Sequence, residues 1–159
     1  MFDRVSEFVK WLLTKPADER TFSEVIFGNE PQKLKLDIDG ATSAQLKTVF
    51  DAIQKVWKDI PTTSGTDHMY IFKTGEMDHH IVIDHVVESV ERAEEFANKV
   101  RDATGDPTMS KIIDPKVYNN TQNFRIMGCS KGPGLPTKVP VNTKKIRMID
   151  SLVGVNYVK

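Results

Sequence analysis

The sequence predicts a layered α+β or α/β fold. Segments with apolar residues at helical spacing interleave with segments that alternate apolar and polar residues, and glycine or proline marks most of the changes between them. At 159 residues the chain is read as a single domain over 1–159, large enough to bury a core without staples.

The elements follow in order. After Asp3, placed to act as an N-cap, Val5, Phe8, Val9, Leu12 and Leu13 recur at helical spacing until Pro16 stops the pattern. Residues 22–27 read as a short strand closed by Gly28. Residues 33–39 read as a cleaner one, because Leu34, Leu36 and Ile38 alternate with polar residues before Gly40. A long helix over 43–60 carries Leu46, Val49, Phe50, Ile53, Val56, Trp57 and Ile60 on one stripe, and Pro61 ends it. Residues 69–72 and 79–85 read as the two strands of a hairpin, with Gly75 supplying the bend. Ser89 then caps a third helix whose Val90, Ala93, Phe96, Ala97 and Val100 face inward, until Gly105 and Pro107 break it. Residues 123–129 predict a further strand. Pro133, Pro136, Pro140, Gly132 and Gly134 make 131–140 a loop, and 146–157 returns to apolar content of no clear period.

Composition narrows the function classes. No apolar run approaches the length that crosses a bilayer, and residues 1–15 lack the zones of a signal peptide, so no membrane partner is expected. Cys129 is the single cysteine, and no Cys/His spacing of the zinc-finger type occurs; a reducing intracellular compartment is expected, and any metal must use oxygen ligands. The formal net charge is zero, yet residues 115–149 hold seven basic residues and no acidic one. That stretch reads either as a phosphate-facing surface or as a solvated basic loop, with Lys138, Lys144 and Lys145 the candidate contacts to nucleic acid.

Chemistry enters at residues 33–40. Strand periodicity sends Leu34, Leu36 and Ile38 to the core and puts Asp37 and Asp39 together on the other face, about 7 Å apart along the strand, within reach of a shared hard cation. A two-residue Asp-x-Asp pattern is common and needs a third ligand and a phosphate site. Residues 112–131 offer both: Asp114 follows Ile112 and Ile113, and Arg125, Ser130 and Lys131 follow it.

This segment resembles the third motif region of the archaeo-eukaryotic primases, especially the primase-polymerase and large-DNA-virus helicase-primase branches, through Asp114, Val117-Tyr118, Asn123-Phe124-Arg125 and Ser130-Lys131. Residues 24–28 and 33–39 resemble the lead into that family's first motif, and 150–153 a downstream element. The resemblance implies an α+β catalytic core with a mixed or antiparallel sheet packed by helices. It also implies a nucleotidyl transferase that joins NTP or dNTP on a single-stranded DNA template. Asp37, Asp39 and Asp114 would hold two Mg²⁺ or Mn²⁺ ions, and Arg125, Ser130 and Lys131 would bind the triphosphate. The family's Ser-x-His motif, whose histidine contacts the nucleotide's phosphates, is matched by His80, which the resemblance makes a nucleotide-binding residue, but Asp78 stands where serine is expected. An acid there should repel a triphosphate, or pair with His80 and raise its pKa. Viral relatives carry a helicase segment, whereas residues 128–132 do not fit a Walker A loop, so a helicase is expected elsewhere, as a further domain or a separate chain. Two other readings stay open: a nucleotide- or single-strand-binding module of the same fold without turnover, and a metal-dependent nuclease.

Overall fold

Alternation along residues 32–38 sorts side chains to two faces, and the fold buries both. The structure, a computed structural model, describes residues 4–58, 69–141 and 146–155. In chain order its elements are α1 (Val5–Leu13), β1 (Ser23–Phe27), β2 (Gln32–Ile38), α2 (Ser43–Trp57), β3 (Met69–Lys73), β4 (His79–Val87), α3 (Val90–Thr104), α4 (Met109–Ile112), β5 (Thr121–Arg125) and β6 (Val139–Pro140). Single 3₁₀ turns cover Ala17–Glu19, Pro115–Val117 and Met148–Ser151. This is the α+β architecture expected, with antiparallel sheets packed by helices.

β2, β4, β3 and β6 form an antiparallel sheet in that spatial order. On one face Leu34, Leu36 and Ile38 of β2 and Ile81 and Ile83 of β4 meet Val49, Ile53 and Val56 of α2 and Phe96 and Val100 of α3. The other face is covered by a second sheet of two strands, β1 and β5, which lays Ile26 and Phe124 against Phe72 and Val82. Lys35 is therefore fully buried between the sheets rather than solvated. A third cluster, Leu12, Ile126, Cys129, Met148 and Leu152, lies under α1.

Local chemistry explains the element ends. Thr42 and Gln45 form a reciprocal capping box at the start of α2, and Gly105 closes α3 in the left-handed conformation. The N-cap of α1 is Arg4; Asp3 lies outside the described residues, as do Ile60, Pro61 and His68. β3 and β4 form the expected hairpin. β5 stops at Arg125, short of the expected residue 129, because the chain turns where Cys129 N donates to Ile126 O (3.1 Å) and Gly128 takes φ 81°. The loop that follows is closed at its foot by Gly128 N to Lys138 O (2.8 Å) and Lys138 N to Cys129 O (2.9 Å). No described helix is long and apolar enough to cross a membrane.

Candidate active site

The site begins at one joint between distant parts of the chain. Ile38, the last residue of β2, bridges Ile113 in antiparallel fashion. Asp39 N donates to Ile112 O (2.8 Å) and Asp114 N to Asp37 O (2.9 Å). This pairing buries Ile38 and Ile113 together and puts Asp37 across from Asp114. α4, a single turn, delivers the Ile112 carbonyl to the joint. Asp39 follows β2 and is exposed, and Gly40, at φ 65°, turns the chain away behind it.

The three carboxylates work against one another. Burial and then the charges of Asp39 and Asp114 push the Asp37 carboxyl up to about 7, although Lys131 and Lys138 pull it down. Asp39, exposed but partly desolvated by its surroundings, is raised by that desolvation first and by Asp78 and Asp114 next. One oxygen of Asp114 caps the following 3₁₀ turn by accepting from Lys116 N (2.9 Å). Among the described residues, no three His, Cys, Asp or Glu side chains stand as a ready-made cage for an ion. The donor set nonetheless suits a hard divalent cation, being all oxygen and carrying negative charge that the protein leaves incompletely neutralised.

His80 stands beside Asp37. The two are register partners across β2 and β4, and His80 Nε2 is 3.4 Å from Asp37 Oδ1. Its ring stacks on Phe124 at 4.2 Å between centroids. Burial, then Lys138, Arg125 and Lys131, hold the imidazole well below its usual range, so it is neutral. Its Nδ1 is buried without a hydrogen-bond partner. The pairing of Asp78 with His80 considered from the sequence does not form: the Asp78 carboxylate accepts from Gly40 N instead (2.9 Å), and the acid against His80 is Asp37.

The expected phosphate-binding residues divide. Arg125 is largely buried and donates through Nη1 to the carbonyls of Thr74 (3.1 Å) and Pro136 (3.3 Å). Lys131 is exposed, and its charge is felt by Asp37, Asp39 and His80. Together with Thr74, Gly75, Asp78, Leu135 and Pro136, these two line a cleft of about 140 Å³. The Ser130 hydroxyl is turned inward and donates to Gly132 O (2.8 Å), which shapes the loop that carries Lys131.

Lys138 is a correction. Expected on a basic DNA-facing surface, it has 0% exposure; its Nζ donates to Arg125 O (2.7 Å) and lies 4.6 and 4.5 Å from the ring centroids of Phe72 and Phe124. Burial pulls this ammonium down to about 7. A lysine inside a proline- and glycine-rich stretch carries no periodicity that would reveal an inward side chain. Lys144 and Lys145 lie outside the described residues.

Asp37, His80 and Asp114 are thus gathered at one edge of the four-stranded sheet. The chain is similar to two viral proteins. Both are named "Putative helicase/primase complex protein". One, from African swine fever virus isolate Pig/Kenya/KEN-50/1950, is 26% identical over 166 aligned positions, which cover 87% of this chain and 16% of the relative. The other, from strain Badajoz 1971 Vero-adapted, is 24% identical over 176 positions, covering 87% and 17%. The chain thus spans about a sixth of the length of these relatives. No family model matches it, and no solved structure does.

Two further groups, Glu24 and Tyr118, lie in the segments that carry the resemblance but were not read as site residues, and they support the site from behind. Glu24, buried between the sheets, accepts from Val153 N (2.7 Å) and Gly154 N (3.1 Å), and its field reaches Lys35 and Lys138. The Tyr118 hydroxyl donates to Lys35 O and fixes β2 just before Asp37. A larger cavity of about 560 Å³ lies between α2, α3 and the end of β4, lined by Lys55, Val56, His85, Phe96 and Lys99 among others. It is remote from this chemistry, since His85 is five residues along β4 from His80, about 16 Å.

Proposed function

We propose that the chain is the nucleotidyl-transfer core of a DNA primase or primase-polymerase, extending a 3′-hydroxyl with NTP or dNTP on a single-stranded DNA template. The observation that carries this reading is the Ile38–Ile113 joint, with Asp37 opposite Asp114 and with Arg125 and Lys131 in the neighbouring cleft. Similarity to two viral proteins named for a helicase/primase complex supports a role in replication. A helicase, on another chain or in another part of a longer one, is the partner we propose.

Two Mg²⁺ or Mn²⁺ ions, when bound, would lower the pKa of the attacking hydroxyl and neutralise charge on the departing pyrophosphate. Asp37, Asp39 and Asp114 are the residues that would hold them. Lys131 approaches the triphosphate as a mobile point charge, whereas Arg125 is pre-oriented by the Thr74 and Pro136 carbonyls and has guanidinium N–H groups left to donate. Neutral His80, fixed by the Phe124 ring, borders Asp37 and adds no charge to the site. The test is labelled-nucleotide incorporation on single-stranded DNA with Mg²⁺ or Mn²⁺, each nucleotide class supplied separately. Metal-dependent extension with pyrophosphate release supports the reading; release of nucleotide from DNA would point to a nuclease.

A second reading is a binding module of the same fold without turnover. It is favoured by the acids, which do not form a ready-made ion cage, and by Asp78, which adds negative charge beside Arg125 and Lys131. Triphosphate binding without incorporation under any metal would support it.

A further inference from the structure

Asp78 is an acid among groups meant for phosphate. It lines the same 140 Å³ cleft as Arg125 and Lys131, and among the described residues it forms no ion pair with either. Its position is fixed from several sides. Oδ1 accepts from Gly40 N (2.9 Å), directly after Asp39, and its own carbonyl accepts from Thr74 N (2.9 Å) to close the β3–β4 turn. A Cβ at Gly75 would stand 2.5 Å from Oδ2, so the glycine leaves room for the carboxylate. The Gly40 bond ties the turn to the end of β2, which places a fourth negative charge next to Asp39, opposite in sign to the cleft's two cations.

We propose that Asp78 is a specificity-determining residue that makes this cleft take a triphosphate as its divalent-cation complex and reject the free anion. The inference rests on the nucleotide-binding reading above. A free nucleoside triphosphate brings about four negative charges to a cleft where Arg125 and Lys131 attract it while Asp78 and Asp39 oppose it. A bound divalent cation removes two of those charges and gives the acids an attractive partner. Asp78 also adds its field to that of Asp39, because its Oδ1 accepts from Gly40 N, the next residue (2.9 Å). A divalent cation near Asp39 would reverse that unfavourable field, so cation and triphosphate favour each other's entry.

Asp78→Asn separates charge from geometry, because the amide oxygen still accepts from Gly40 N. A fluorescent nucleoside triphosphate is titrated into the full chain in EDTA and in Mn²⁺, for the parent, Asp78→Asn, Asp78→Ser and, as control, Asp102→Asn at an exposed position of α3. The parent should bind at least tenfold more tightly with Mn²⁺. Asp78→Asn should strengthen binding in EDTA by about tenfold, a scale reasonable for one nearby charge in a partly screened cleft, and change binding in Mn²⁺ much less. Asp78→Ser should follow it, so failure of one variant to fold leaves the other to decide, and Asp102→Asn should match the parent. If the parent binds and the EDTA-to-Mn²⁺ ratio is the same in folded variants, the proposal is overturned while the nucleotide-binding reading stands. If the folded parent and variants bind no triphosphate in either condition, that reading falls and this inference falls with it.

Discussion

His80 Nε2 lies 3.4 Å from Asp37 Oδ1, and burial holds both groups toward their neutral forms. For Asp37 this has a definite sign. Its folded pKa, about 7, is above the ordinary carboxylate value, so between roughly pH 4 and 7 the folded chain holds more protons than the unfolded one, and this group subtracts stability as pH rises through that window.

Asp37→Asn should therefore abolish incorporation yet stabilise the metal-free protein at pH 8 by on the order of 1–3 kcal/mol, with little gain at pH 4. Thermal unfolding in EDTA at both pH values checks this; an equal difference at the two would contradict it. Mn²⁺ soaked into crystals should give anomalous density beside Asp37, Asp39 and Asp114 in the parent and lose it in the variant.

Lys131→Ala and Arg125→Ala should both weaken triphosphate binding more than DNA binding, but they should differ in stability. Lys131 is exposed, so its removal should leave the melting temperature unchanged. Arg125→Ala deprives the Thr74 and Pro136 carbonyls of a donor and should cost about 1–3 kcal/mol. Chemical denaturation read beside nucleotide titration separates the two.

Lys138→Ala should destabilise by about 2–4 kcal/mol, because it empties a slot between Phe72 and Phe124 and leaves the Arg125 carbonyl without its donor. Lys138→Met refills the slot and should recover the packing part of that loss but not the part owed to the unpaired Arg125 carbonyl. Neither should flatten the salt dependence of DNA affinity, as loss of a surface phosphate contact would. The same ammonium, at about 7 when folded and about 10.4 when unfolded, lets stability rise with pH between those values.

Glu24→Ala should loosen the end of the chain. It removes the acceptor of one buried and one half-buried amide and should cost about 2–4 kcal/mol. Hydrogen exchange at Val153 and Gly154 should accelerate well beyond that at Ile81 in the central sheet.

What the sequence revealed follows the range of the forces involved. Alternation in β2, the stripes of α2 and α3, and the 73–78 turn are local patterns, and each element formed close to where it was read. The union of β1 with β5 is non-local; nothing in 23–27 says that its partner lies at 121–125. The same gap hid the inward turn of Lys138 and the burial of Lys35, since a strand face reads as polar until something covers it. Asp37, Asp39, Asp114, Arg125 and Lys131 were legible as residues suited to this chemistry. The Ile38–Ile113 joint that brings the three acids together was not, because α4 is one turn long and carries no periodic signal.

That joint is also a latch. Two hydrogen bonds, which together make the bridge, hold Asp114 against Asp37, whereas His80 is held by a ladder running the length of β4. The acid set is complete only with this pairing closed, so a ligand that needs both acids binds with an affinity scaled by the fraction of molecules in which it is closed. Tighter packing around Ile113, in the core and away from every ligand group, should therefore strengthen such binding without adding a single contact to the ligand.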